Sequence, residues 1–566
     1  MTRRIERFLW TLALFALAAQ LSPGGTAIAS DSSLTVPIVI SSSGRAGSFY
    51  TSELSLTNRG TTTATLRFTY TAAFGGGGGT ATDTLAAGRQ KTVPDAIAYL
   101  ISIGLSIPGA GDRGGVLRVD FSDLSGPDAG SVTARTTTAV PGGRAGLAYS
   151  AFAGGLDLTS YLCGLRQNDS DRSNVAVLNA GREGGGDVVL RLTVFSGDPA
   201  SPEPRVLPDV TLAPGAFRQY NEILRTVGLE KGYVRIERIS GGAPYYAYAT
   251  ILDQVTSDGS FVPPLGEEEI WGPPDSTLPV VVETPAFTTE VVLCNVSTDP
   301  VTVRLSYVAD AIQAPDSTAS VSIALGGGEQ KVIPGFVQYL RSQGAAGVVA
   351  PGPTFAGALF LTVTGRDQGG VFLGGRTQTA ESGGRYGLFY TAFADGTTAT
   401  SDAWIFGLQQ DAENRTNLAL VNTGEADATT LGLRVDLYDG GTGSIARSFD
   451  VSLPPRKWTQ INAVLSPGIS NGYARITRTS GTNSFLAYGV VVDGGTPQTR
   501  SDDGAFVPLQ VQEPPALAEL LAIRTVEAKA RSLGARGVSR LDYVRGVADF
   551  MATLPGYTVS GVDEGS

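Results

Sequence analysis

Leu54-Ser-Leu-Thr-Asn58, Val175-Ala-Val-Leu-Asn179, Val291-Val-Leu-Cys-Asn295 and Leu418-Ala-Leu-Val-Asn422 are four versions of one phrase, a short apolar strand ending on asparagine. A second strand follows each: Leu66, Phe68 and Tyr70; Leu190, Leu192 and Val194; Val301, Val303, Leu305 and Tyr307; Leu431, Leu433, Val435 and Leu437. Apolar residues at period two, with polar residues between, mark a sheet with one buried and one wet face. The wet face carries one arginine per copy, at Arg67, Arg191, Arg304 and Arg434. The interval from Asn to Arg runs 9, 12, 9, 12 (58→67, 179→191, 295→304, 422→434). The copies therefore alternate as a-b-a-b, and the unit of duplication is a pair.

Each copy continues in the same way. A Gly- or Pro-rich turn (Ala87-Gly88, Pro214-Gly215, Gly326-Gly327-Gly328, Pro454-Pro455) leads to a strand. Short segments with helix-start signals follow at Pro94-Asp95, Asn221-Glu222, Pro334-Gly335 and Asn462-Ala463. A Gly-led strand comes next, as in Gly115-Val-Leu-Arg-Val119 and Gly472-Tyr-Ala-Arg-Ile476. The pairs also match at their ends, Gly142-Gly-Arg-Ala-Gly-Leu-Ala-Tyr149 with Gly383-Gly-Arg-Tyr-Gly-Leu-Phe-Tyr390, and Phe261-Val-Pro263 with Phe506-Val-Pro508. Many short strands and no long crossover helix predict an all-β fold: four tandem immunoglobulin-like antiparallel β-sandwich domains in two pairs.

The expected division is a signal peptide over 1–29, sandwiches over 30–152, 153–266, 267–393 and 394–512, and a helical segment over 513–566. Arg3, Arg4 and Arg7, the apolar run Phe8 to Ala19, and Ala27-Ile28-Ala29 make an export signal, with the mature chain starting near Ser30. Pro263 to Pro274 reads as a stiff acidic linker between the pairs. After Pro514-Pro515, Leu517, Leu520, Leu521, Ile523 and Val526 fit one helix face. Ser539 with Asp542 caps a second helix bearing Leu541, Val544, Val547 and Met551. No later apolar stretch reaches the length of a membrane span.

Composition narrows the chemistry. The 566 residues include no histidine, which excludes Ser-His-Asp and Cys-His catalysis and imidazole-bound metal. The only cysteines, Cys163 and Cys294, sit at non-equivalent positions, and buried free thiols are favoured over a disulfide between copies. A net charge of −11 and the lack of any basic run make nucleic acid and anionic membranes poor partners. Extracellular protein or glycan partners remain.

Four sets of residues invite a functional reading. The repeated asparagines are read as turn formers that bond local backbone, and the repeated arginines as cross-strand ion-pair partners. Gln167-Asn168-Asp169-Ser170-Asp171 and Gln409-Gln410-Asp411-Ala412-Glu413-Asn414 gather oxygen ligands. This makes Asp169, Asp171, Asp411 and Glu413 weak calcium candidates. Exposed acidic turns are the simpler account, since the spacing is not that of an EF-hand. Trp271, Trp404 and Trp458 offer sugar-stacking surfaces, but isolated tryptophans usually fill cores or domain joints. Gly75-Gly76-Gly77-Gly78-Gly79 lacks the Lys and helix of a phosphate loop and serves as a hairpin tip. The acidic residues show no recurring pair, so no catalytic residue is assigned.

Val36-Pro37 leading to Gly47-Ser-Phe-Tyr50, the strand to Asn58, the Leu85 to Gly88 turn and Gly115-Val-Leu-Arg-Val119 resemble a class of secreted bacterial β-sandwich repeats found in large extracellular proteins. The resemblance spans about 33 to 512, a run of domain-sized units. It implies an immunoglobulin-like fold and an accessory or surface role, without catalytic residues. The expectation is a non-catalytic exported scaffold or adhesive/binding protein. The alternatives are a carbohydrate-active hydrolase using carboxylates alone, or the stalk of a larger secreted enzyme.

Overall fold

The computed structural model describes residues 32–310, 318–348, 354–364, 369–381, 384–465, 467–494 and 501–511. The expected export signal and the helical segment over 513–566 lie outside the described residues. Every described ladder is antiparallel, and the fold is all-β.

The first repeat runs β1 (Ser32–Ser43), β2 (Phe49–Asn58), β3 (Ala64–Phe74), β4 (Gly78–Leu85), β5 (Gln90–Val93), α1 (Ala96–Ser102), β6 (Arg113–Ser122), β7 (Gly130–Val140) and β8 (Gly143–Ser150). Its strand order is β4-β3-β6-β1-β2-β7-β8, with β5 also on β2. β1 meets β2 only through Ser41–Ser43, so the layers β4-β3-β6-β1 and β5-β2-β7-β8 face each other like the halves of a sandwich. The crossing follows a break in the β1–β6 ladder between Val36 and Val39, where Pro37 has no N–H to give. The third repeat has the same joined sheet, with its break between Leu278 and Val281 around Pro279.

The second and fourth repeats keep this order in two separate sheets. In the second, Val188–Ser196, Lys231–Ser240 and Thr159–Arg166 form one layer, and Phe217–Tyr220, Asp171–Asn179, Tyr245–Asp253 and Gly259–Val262 form the other. Their first strands bulge at glycine instead of proline, at Gly164 (φ +83°) and Gly407 (φ +75°). The alternating residues behave as the pattern requires: Leu66, Phe68 and Tyr70 are buried, as are Leu190, Leu192, Val194, Leu433 and Val435.

The four asparagines are clamps, one inside each repeat, all completely buried. Asn58 donates to the carbonyls of Thr62 (2.8 Å) and Leu85 (2.9 Å) and accepts from the Gly60 amide. Asn179 donates to Gly186 and Leu212, Asn295 to Asp299 and Gly326, and Asn422 to Thr429 and Leu453. The clasped loop carbonyl is thus 4, 7, 4 or 7 residues on, and this is the source of the 9-12-9-12 interval. Of the arginines, Arg191 pairs bidentately with Asp209 at 2.8 Å, and Arg434 lies 3.5 Å from its cross-strand partner Asp450. Arg67 and Arg304 are exposed.

Two expectations change in detail. Helical turns form at Ala96–Ser102, capped by the Asp95 side chain, at Ile223–Thr226 and at Phe336–Ser342, whereas no helix is described after Asn462. The acidic linker is no free spacer. Leu265–Gly266 pairs with Ser160 and Tyr161, Glu267–Ile270 forms a helical turn, and Ile270 and Trp271 are 3% exposed. Those two apolar side chains bury the segment in a core shared by the second and third repeats, where Phe372 and Cys294 join it.

The repeats also close on one another. The last strands, Gly143–Ser150, Gly259–Val262, Gly384–Thr391 and Gly504–Pro508, make contact first with second, second with third, third with fourth and fourth with first.

Candidate functional site

The junctions between repeats gather the polar chemistry of the chain, in two related versions. A bulged glycine points its amide out of its own ladder, and a buried N–H without a partner is costly. The Gly164 amide donates to the Gln330 Oε1 (2.8 Å) and the Gly407 amide to the Gln90 Oε1 (2.9 Å). The same glutamines donate to the Leu165 and Leu408 carbonyls (3.0 and 3.5 Å). Their backbone amides reach Gly197 and Gly440, both at 3.0 Å. The second repeat is thereby pinned to the third, and the fourth to the first.

Beside each glutamine clamp lies a charged seam. Between the second and third repeats, Asp171 receives Arg376 (2.9 Å) and Arg385 (3.0 Å), Arg166 pairs with Glu290 (2.6 Å), and Arg385 also reaches Asp253 (3.4 Å). Arg376 is fully buried. Burial opposes ionisation of Asp171, yet the guanidiniums of Arg376, Arg166 and Arg385 together hold its carboxyl below the usual carboxylate range. In the other seam, Arg135 (2.7 Å) and Arg144 (2.9 Å) both donate to Asn414 Oδ1, the Arg144 amide donates to Asp493 (3.0 Å), and Gln409 bonds Glu53. Asn414 stands where Asp171 stands, and Gln409 where Arg166 does.

At the centre the seams share a pair of aspartates. Asp258 accepts the Gly387 amide and Asp503 the Gly146 amide, both at 2.8 Å, and the second carboxyl oxygen of each has no hydrogen-bond partner among the described residues. Burial, reinforced by the charge of Asp503 and opposed by Arg376, pushes Asp258 well above the usual range. Burial pushes Asp503 up to about 7, against the pull of the Gly146 amide and Arg135. Leaving Asp258 protonated matches three guanidiniums (Arg166, Arg376, Arg385) with three carboxylates (Asp171, Asp253, Glu290) in its seam.

Two pockets complete the junctions. One of about 400 Å³ lies between the first and second repeats, walled by Tyr149, Phe217 and Tyr248, with Arg172 and Asn174 on its lining. Its counterpart of about 240 Å³ lies between the third and fourth, with Tyr390, Trp458, Tyr488, Arg415 and Asn417 in the equivalent places. Ring stacks support both: Phe261 on Tyr149 and Tyr248 (both 5.3 Å), Phe506 on Tyr390 (5.6 Å) and Tyr488 (5.2 Å). No protein-family model and no curated protein sequence matches this chain. The arrangement must therefore be read from its own geometry, one half against the other.

The residues singled out from sequence are distributed as follows. Asp171 is a buried salt-bridge hub, while Asp169 is exposed on the turn beside it. Asp411 accepts the amides of Glu413 and Asn414 (2.8 Å each), and Glu413 lies 3.4 Å from Arg144. No group of three or more acidic or thiol side chains placed to hold a metal occurs among the described residues. Trp271 fills a core, and Trp404 stacks with Phe406 beneath Arg59 (4.8 Å). Trp458 lines the pocket between the third and fourth repeats, its indole N–H donating to the Tyr488 hydroxyl (2.9 Å), while Trp271 and Trp404 each form part of the wall of a further pocket. Cys163 and Cys294 are buried free thiols in one cluster; burial and then the neighbouring Cys163 push the Cys294 thiol up. No described helix is long and apolar enough to cross a membrane.

Sequence reasoning missed the glutamines and the aspartates. Asp253 with Asp258, and Asp493 with Asp503, do recur, just ahead of the matching Phe-Val-Pro ends. An insertion of five residues in the fourth repeat hides the spacing (253→258 against 493→503).

Proposed function

We propose that this chain is an exported, non-catalytic scaffold or adhesive/binding protein. It is built from four immunoglobulin-like sandwiches in two pairs, followed by a helical hairpin, and acts outside the cytoplasm on a protein or glycan partner. The observation that carries this reading is the reciprocity of the two glutamine clamps. Two pairs locked at both ends form a stiff platform, and a stiff platform holds surface loops and pockets in fixed relation. The chemistry that surrounds the junctions also fits binding better than turnover, because its carboxylates are committed to arginines and amides.

The test is a glycan-array and protein-partner screen with the mature chain, run in calcium and in EDTA. Retention of a defined partner by the folded chain supports the reading. A blank in both screens would leave a spacer role only.

The second reading, a hydrolase using carboxylates alone, draws on one observation: Asp503 lines the pocket between the third and fourth repeats. Against it, Asp258 and Asp503 are 0% and 2% exposed, which leaves no access for a glycosidic bond between them. Hydrolysis of aryl glycosides that disappears in Asp503→Asn would establish this reading and displace the first.

A further inference from the structure

The two halves of the chain act as controls for each other, and their pockets differ in how one equivalent arginine is paired. In the pocket between the third and fourth repeats, Arg415 is neutralised from within. Its guanidinium lies 2.8 Å from Asp502 and donates to the Gly494 carbonyl at 2.8 Å. Its equivalent in the larger pocket is Arg172, 6% exposed. The residue equivalent to Asp502 is Ser257; both precede an Asp-Gly pair and both hold positive φ (+55° and +60°).

Arg172 has no ion pair among the described residues, and its hydrogen bond is a long one, 3.4 Å to the Asp253 carbonyl. The acidic neighbours that act on it are engaged elsewhere, Glu222 with Arg45 at 2.8 Å and Asp253 with Arg385 at 3.4 Å. Among the described residues no Asp or Glu lines this pocket, whereas Asp502 and Asp503 line the other. A buried charge without a counter-ion is expensive, and the usual remedy is a partner within hydrogen-bonding reach.

We propose that the pocket between the first and second repeats binds a small monocarboxylate with an apolar body. The carboxylate takes the place beside Arg172 that Asp502 takes beside Arg415. The other cation on the lining, Arg45, is already met by Glu222 (2.8 Å), so the one guanidinium fork left, that of Arg172, matches the two oxygens of one carboxylate. A dianionic phosphate would keep a second charge unmet against Ile38, Leu147, Leu252 and the rings of Tyr149, Phe217 and Tyr248. Those walls suit a flat apolar body, and about 400 Å³ accommodates a one-ring ligand. Asn174 and Gln219 supply the few polar fixing points.

This inference rests on the reading of the chain as a binding protein, and its test separates the two. The probes are 4-phenylbutyrate and its uncharged amide, titrated calorimetrically into the full mature chain, Ser257→Asp and Asp502→Ser, with thermal melts to verify folding. Aspartate tolerates the left-handed backbone at position 257, so Ser257→Asp installs the internal counter-ion without backbone strain. The expected results are binding of the carboxylate at least tenfold tighter than the amide at one site, loss of that preference in Ser257→Asp, and a second site in Asp502→Ser. Equal binding of acid and amide, unchanged acid binding in Ser257→Asp, or no acid binding at millimolar concentration overturns the inference. If macromolecular capture persists in folded Ser257→Asp, the binding-protein reading stands even where the carboxylate site fails. Turnover of a phenylbutyrate ester would overturn the binding-protein reading itself.

Discussion

Replacing Asp503 by asparagine should make the protein more stable above neutrality and leave it nearly unchanged in acid. In the folded chain Asp503 ionises at about 7, against about 3.9 in a free chain. A group whose folded value is raised binds more protons folded than unfolded between those two values. Stability therefore falls as pH climbs from about 4 to about 7 and stays low above it. Three units at about 1.4 kcal/mol each give about 4 kcal/mol as the upper scale of the effect. The substituted amide side chain would still accept the Gly146 N–H and carries no charge at any pH. It also removes the charge that raises Asp258. Urea unfolding followed by tryptophan fluorescence at pH 4.5, 6 and 8 reads the difference directly. The gain of Asp503→Asn over the parent should grow across that series, from near zero to several kcal/mol. A difference that does not change with pH, or a variant weaker than the parent at pH 8, would refute the placement of Asp503 as a protonated, buried carboxyl.

Three further outcomes follow from the same geometry. Gln330→Ala removes the partners of the Gly164 amide and the Leu165 carbonyl and should cost about 1–3 kcal/mol in unfolding free energy; Gln330→Glu, which keeps the acceptor but adds a buried charge, should not restore it. Asn179→Ala breaks two donated bonds and one accepted bond in a fully buried position. It should cost about 2–4 kcal/mol by denaturant titration, more than Arg191→Ala on the wet face. Cys163 and Cys294 should resist a thiol reagent in the native protein and react fully in denaturant, because both are buried and burial holds the Cys294 thiol protonated; rapid native labelling would contradict the packing of the second repeat against the third.

What could be read from sequence was whatever repeats locally. The alternating strands and the Asn-Arg intervals recur within each copy, and their hydrogen bonds stay inside that copy, so period and spacing suffice to find them. The asparagine role was legible as backbone bonding, though its reach from one strand to the end of another was not. Gln90 and Gln330 do recur, in Gly88-Arg-Gln-Lys91 and Gly328-Glu-Gln-Lys331, but nothing local ties either to a glycine of another repeat: Gly407 lies more than three hundred residues after Gln90. Asp171 misled because an acid in a polar loop looks solvated, whereas Arg376 and Arg385, from another repeat, make it a core residue. The segment from Pro263 to Pro274 likewise read as a stiff acidic linker because its charges outnumber Ile270 and Trp271, yet those two buried side chains decide its position.

The closure of last strand upon first has a consequence for how the chain is made. Gly146 waits for Asp503 and Gln90 for Gly407, so the seam of the first-made repeat is completed only when the last-made one has emerged. Until then Glu53, Arg135 and the rim around Tyr149 face water or a helper protein, and contacts so distant in sequence form slowly. A chain that emerges N-terminus first would therefore pass through a state in which three repeats are formed and the open edge is charged. Charge at that edge keeps such a state soluble and discourages its sheets from pairing with a neighbour's while the final quarter arrives.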